Sequence, residues 1–218
     1  LSDLNRSRPA ASGTGTSSLQ TRRTAALPSA QQRGQQAQAA VTDVLKFVRE
    51  TYYKPNLKSG NKVNGDGGPE EFERQKRATE EVERMRMQGD PLEAAMQSKA
   101  HQCQELTLLA VHHLQERGLH AQILELGGDD VAVTHNVAVV GPVSNPLPAN
   151  MKQWPPDVHI CDPWSNIACS ARDYPDQFIQ KMKKWEDAGK LVGFQVKGFV
   201  LPTDPDWVHD VLHGQKMV

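Results

Sequence analysis

The 218-residue sequence predicts an α+β domain, and three observations carry that expectation. From residue 36 to Gly118 the apolar residues recur at helical spacing between helix start and stop signals; beyond Gly118 they change to the alternating period of strands; and long helical composition returns only once, over 173–188. Helices followed by an antiparallel sheet make the α+β class.

Residues 1–35 lack large apolar side chains apart from a few leucines and carry Arg6, Arg8, Arg22, Arg23 and Arg33 against one acid, Asp3. Such a segment buries too little to offset its ordering entropy and reads as a flexible basic leader or linker, with residues 36–218 as a single domain. The first helix is expected over 36–53, where Val41, Val44, Leu45 and Val48 form one apolar stripe, and Lys54-Pro55 ends it. Ser59 to Pro69 is rich in Gly, Asn and Asp and reads as a mobile loop; it has no Gly-Lys-Ser/Thr ending and so no phosphate-binding pattern. From Pro69 to Gln88 charges interleave as Glu70/Arg74, Glu73/Arg77 and Glu80/Arg84, the four-residue spacing of an exposed, ion-paired helix. Asp90-Pro91-Leu92-Glu93 is a helix start with a cap, a tolerated proline and capping-box spacing. Helical composition runs on to Arg117-Gly118, with a break expected at Lys99–Gln102.

Strands are expected around Ala121–Leu126, Val131–Val140, Val158–Cys161 and Leu191–Leu201, with a turn at Gly127–Asp130 and a short amphipathic turn near Trp207, Val211 and Leu212. The formal net charge of −1 gives no general support for nucleic-acid binding. No stretch approaches the roughly 20 apolar residues of a membrane span. Three cysteines, Cys103, Cys161 and Cys169, form no CxxC pair and leave at least one free thiol, which suits a reducing compartment.

Three residues stand out chemically. Cys103 precedes Leu106, Leu109, Ala110 and Leu114, so a helix starting near the thiol would offer its free amides and dipole to a thiolate. A cysteine merely filling the core is the competing reading. His135 lies in the apolar run Val133–Val140, in phase with Val137 and Val139, where its ring needs partners for both nitrogens. Asp162 ends a strand at Asp162-Pro163, placed to orient that imidazole; Asp-Pro is equally a common turn opening, as Asp204-Pro205 illustrates. Zinc-type spacing is absent: His112-His113 and His209/His213 do not complete a recognisable ligand set, and no cofactor or metal is expected.

The run Ala100-His101-Gln102-Cys103-Gln104-Glu105-Leu106, then His135-Asn136-Val137-Ala138-Val139-Val140, then Cys161-Asp162-Pro163-Trp164, resembles the core of papain-like and transglutaminase-like cysteine enzymes, in particular bacterial effector and polymorphic-toxin forms. The likeness covers about residues 92–166. It implies a nucleophile-bearing central helix on an antiparallel sheet, with Cys103, His135 and Asp162 as a catalytic triad. It also implies oxyanion support from the Cys103 amide together with Gln97, six positions before the nucleophile, or Gln102. His101 stands two positions before the cysteine, where many members carry glycine.

The resemblance implies thiol-dependent amide chemistry on a host or target protein: glutamine deamidation first, with peptide-bond cleavage and then transglutamination as alternatives. The basic leader resembles those of proteins exported by bacterial injection systems, implying action in a reducing host cytoplasm. A non-enzymatic interaction module, with Glu70–Arg86 as its contact surface, is the competing class. Oligomeric state is left open.

Overall fold

In the computed structural model, which describes residues 27–127, 133–144 and 146–218, the chain is α+β, with helices packed on antiparallel sheets. Helices α1 (Ala30–Val48), α2 (Gly68–Arg86), α3 (Pro91–Gln97) and α4 (Cys103–Glu116) occupy the first half, joined by the short strand β1 (Lys62–Asn64). Then come β2 (Ala121–Gly127), β3 (Val133–Val140), β4 (His159–Asp162) and β5 (Ile167–Ser170), followed by α5 (Tyr174–Asp187). Strands β6 (Lys190–Phe194) and β7 (Gly198–Val200), helix α6 (Pro205–His213) and strand β8 (Gln215–Met217) complete it.

The main sheet has the order β5-β4-β3-β2-β8 and the smaller one β1-β6-β7, with every pairing antiparallel. Helices α1 and α4 pack against each other and against the main sheet, α1 on β4 and β5 and α4 on β2 and β3. Their apolar stripes, Val41, Val44 and Val48 from α1 and Leu106, Leu109, Ala110 and Leu114 from α4, are buried in one core with Val137, Val139 and Ile160. Among the described residues no helix is long and apolar enough to cross a membrane.

Several expectations change. Helix α1 begins at Ala30 because Ser29 and Gln32 cap it reciprocally, Ser29 Oγ accepting from the Gln32 amide at 3.2 Å and Gln32 Oε1 from the Ser29 amide at 2.8 Å. Residues 30–35 are therefore helical, while residues 1–26 of the predicted leader lie outside the described residues. The helix closes in a π-helical turn, Arg49–Tyr53. The loop expected over 59–69 contains β1, held by Arg74, whose guanidinium donates to the carbonyls of Leu57, Ser59 and Lys62 at 2.7, 3.0 and 3.1 Å. The ion pairs formed within α2 are Glu71–Arg74 and Glu81–Arg84, at three-residue spacing rather than the predicted four. The single strand expected at 191–201 is a hairpin, because Gly198 takes φ +80° and turns the chain back as β7. The turn at Gly127–Asp130 falls largely outside the described residues.

Candidate active site

The site starts from a broken helix. Ser98 leaves α3 in an extended conformation, its Oγ donating to the Ala100 carbonyl at 2.6 Å. Segment 98–102 is then tied across to the 57–58 stretch, Leu57 N–H to Lys99 O at 2.7 Å and His101 N–H to Lys58 O at 3.0 Å. His101, two positions before Cys103, is fully buried and donates from Nε2 to the Ala95 carbonyl at 2.7 Å. The carbonyl can only accept, so Nε2 carries the hydrogen; burial also holds the ring's pKa below its ordinary value, against the opposing pull of that hydrogen bond and of Glu105. A side chain, rather than glycine's freedom, fixes the elbow here.

Cys103 is consequently the first residue of α4, with Gln102 as an extended N-cap. The first amides of a helix have no partner within it, so the thiol sits beside free N–H groups at the positive end of the axis. One turn on, Thr107 Oγ1 donates to the carbonyl of Asn136 at 2.8 Å, tying the helix that begins at Cys103 to the residue after His135.

His135 and Asp162 come together through strand register. The β3–β4 ladder pairs Val139 with Ile160; continued two residues, it sets Asp162 opposite Val137, on the face that His135 shares. His135 Nε2 lies 2.8 Å from Asp162 Oδ2, both side chains essentially without solvent contact. The carboxylate takes further donors: Tyr174 Oη to Oδ2 at 2.9 Å, the Ser165 amide to Oδ1 at 3.0 Å, and the Ser165 hydroxyl to Oδ2. Burial alone would raise the Asp162 pKa, but the His135 charge and the hydrogen bonds from His135 and Ser165 outweigh it and hold the group below the usual carboxylate range. Burial and the Asp162 charge push the Tyr174 phenol well above its ordinary value, so it remains a protonated donor.

The same balance acts on the imidazole. Burial opposes its charge, yet the Asp162 carboxylate and its hydrogen bond, with smaller contributions from Cys103, raise His135 to about 10. With Nε2 committed to Asp162, Nδ1 is the nitrogen left for the thiol side. The ring is walled by Trp164, Phe178 and Trp207 at centroid distances of 5.2, 6.3 and 6.1 Å.

This pairing has a stability signature. A histidine whose folded pKa exceeds its unfolded value of about 6.5 contributes fully below that pH and loses the contribution as pH rises through the folded pKa. The difference in melting temperature between wild type and His135→Gln is therefore expected to be largest near pH 6 and to shrink steadily toward about pH 10. Thermal melts across that range check it, and a difference independent of pH would show that His135 is not held as an imidazolium.

A cleft of about 500 Å³ opens at Cys103, lined by Asn61, Arg86, Gln102, Gln104, Thr134 and Asn136 and by hairpin residues including Phe194, Gln195 and Phe199. Among the described residues its one charged side chain is Arg86, paired with Glu105 at 2.7 Å, and the carboxamides of Asn61, Gln102, Gln104, Asn136 and Gln195 stand beside the apolar Val133, Phe194 and Phe199. Of the two glutamines expected to support an oxyanion, Gln102 lines the cleft, its Oε1 accepting from Arg86 at 3.3 Å. Gln97 is exposed on α3, bonded to Glu93 at 3.1 Å, and does not line the cleft; the break after it turns that helix away. Asn61 was not legible as a cleft residue. Trp164 Nε1 donates to its Oδ1 at 3.0 Å, and since an indole can only donate, the Asn61 amide is oriented with Nδ2 on the other side.

The remaining thiols differ from Cys103. Cys161 is buried on the opposite side of β4 from Asp162, and burial pushes its pKa up; burial with the Asp173 and Asp162 charges pushes Cys169 up to about 12. Among the described residues one set of metal-type donors converges, His112, His113 and Glu116, with ligand atoms within 4.8 Å of one another. It lies roughly 14 Å along α4 from Cys103 at 1.5 Å per residue, and His113 Nδ1 already meets Glu116 at 2.8 Å. Comparison of the chain with family models, with curated proteins and with solved structures finds no match in any of the three.

Proposed function

We propose that this chain is a papain-like or transglutaminase-like thiol enzyme that acts on a carboxamide of a protein substrate, with deamidation of a glutamine side chain as its leading reaction. One observation carries the reading: a buried imidazole bonded through one nitrogen to a buried carboxylate, interacting also with a half-buried cysteine at the first position of a helix.

In the proposed reaction the Cys103 thiolate adds to the carboxamide carbon, and the resulting oxyanion is met by the free amides at the start of α4. The tetrahedral adduct collapses as the C–N bond breaks; the His135 imidazolium gives its proton to the departing nitrogen, leaving a thioester and ammonia. Neutral His135 then takes a proton from water as its oxygen adds to the thioester carbon. The C–S bond breaks, releasing a carboxylic acid and restoring the thiolate–imidazolium pair. A raised His135 pKa suits the first half-reaction, because the acid is loaded at neutral pH. The carboxamides of the described lining, and the pairing of Arg86 with Glu105, support an uncharged amide as the group bound there. Three free cysteines support action in a reducing compartment, consistent with the host-cytoplasm setting that the basic leader suggests.

The same atoms would cleave a peptide bond, or transfer the acyl group to an amine where water is excluded. Incubation of wild-type protein with candidate target proteins, followed by intact and peptide mass spectrometry, separates these products. Gln-to-Glu conversion without backbone cleavage is expected. Paired fragments from one scissile bond would replace deamidation with proteolysis, and incorporation of an added primary amine at Gln would identify transamidation. No product across targets, with an unreactive Cys103, would favour an interaction module, for which the charged helix segment Glu70–Arg86 is the candidate contact surface.

A further inference from the structure

The turn after Asp162 has to keep a carboxylate aligned with an imidazole while its own backbone polar groups leave water. Two cations from a distant part of the chain meet those groups. Arg49 Nη1 donates to the Pro163 carbonyl at 2.5 Å, and Lys62 Nζ donates to the Trp164 carbonyl at 2.8 Å. The Trp164 indole, 5.2 Å from the His135 ring, is held by the same stretch as Lys62, through Ser59 Oγ at 3.1 Å and Asn61 Oδ1 at 3.0 Å.

Lys62 is the unusual member. Part of its chain remains accessible, but its ammonium stands 4.3, 4.8 and 5.0 Å from the ring centroids of Trp185, Trp164 and Tyr53. An amine in such a box exchanges its hydration for one carbonyl and three ring faces. If filling space were its only task, a methionine would do so without desolvating a charge. The lysine adds a directed bond to the residue whose ring walls His135 and whose carbonyl lies two positions after Asp162. Other charges around it are Arg49, Lys181, Lys190 and Asp162. Burial, with the Arg49 and Lys190 charges, disfavours the charged form and pushes the Lys62 pKa well below the usual lysine range, while the bond to the Trp164 carbonyl needs only an N–H donor.

We propose that Lys62 is a positioning residue for the Asp162–His135 pair, fixing the Trp164 carbonyl and indole so that the carboxylate and imidazole stay in line with Cys103. This rests on the catalytic reading of that triad. Lys62→Met fills the box without a donor, whereas Lys62→Gln keeps an N–H for the Trp164 carbonyl without the charge.

The test measures, in the full chain, the melting temperature and the rate of Cys103 alkylation by iodoacetamide from pH 5 to 10. Misplacement of a positioned group by about 1 Å costs up to about 10²-fold in rate. Alkylation at neutral pH is expected to slow by about tenfold in the Met variant, with a pH profile that departs from that of wild type, and the Gln variant is expected to fall between Met and wild type. A folded Met variant with the wild-type profile overturns the proposal. Loss of cooperative folding in both variants assigns Lys62 to stability alone and overturns it too. If wild-type Cys103 shows no selective alkylation, the catalytic reading itself fails, an outcome visible before any Lys62 variant is measured.

Discussion

Cys103→Ala is expected to lower turnover of any substrate by at least about 10³-fold while changing stability by less than about 1 kcal/mol, because it removes the atom that forms the bond in the proposed reaction and little buried volume. The second half of that expectation follows from placement. Cys103 is half-buried at the start of α4, and the elbow before it is held by Ser98, His101 and the 57–58 segment, none of which depends on the thiol. The other thiols supply internal controls. Cys161 and Cys169 are buried with raised pKa values, so brief iodoacetamide treatment at neutral pH is expected to label Cys103 alone and to abolish activity in proportion to labelling. His135→Ala should slow that labelling. Full turnover by Cys103→Ala at matched folding would remove Cys103 as the nucleophile.

The elements that carry the site were legible where local chemistry coincides with global structure. Asp90 caps α3 by accepting from the Glu93 amide at 2.8 Å, as the Asp-Pro-x-Glu pattern predicts, and the chain breaks over 98–102, one residue earlier than the expected start of the break at Lys99. His135 alternates in phase with Val137 and Val139, and that face is buried. Short elements were not legible, for a physical reason: β1 and β7 are three residues each, too short to show a period. Residues 30–36 contribute no buried side chain, so α1 shows no apolar stripe there, although Ser29-x-x-Gln32 was a readable cap. Ser165, three residues after Asp162, fits a local turn and could have been found. Tyr174, Lys62 and Arg49 reach the site only through tertiary packing, and no spacing rule points to them.

That hidden shell decides what happens when the acid is removed. Asp162→Ala leaves the His135 ring, the Tyr174 hydroxyl and two Ser165 donors facing a buried void, since the carboxylate has no solvent exposure. Breaking a buried pair on one side costs about 3–5 kcal/mol, which for a domain of this size is a fall of roughly 6–20 °C in melting temperature. Asp162→Asn separates charge from volume. The amide fills the space and can still accept from the imidazole, so the loss of stability should be clearly smaller than for Ala. Its lost charge, however, removes the main force raising His135, so the imidazolium should lose its proton at lower pH. The alkaline limb of activity is then expected to move toward neutral pH in Asn while the Ala variant is weakly active throughout. Melting curves and pH–rate profiles of the two variants check both halves. If Asp162→Asn leaves the alkaline limb where it is in wild type, the carboxylate charge does not set the protonation state of His135. If Asp162→Ala melts with wild type, the four donors around the carboxylate are satisfied without it.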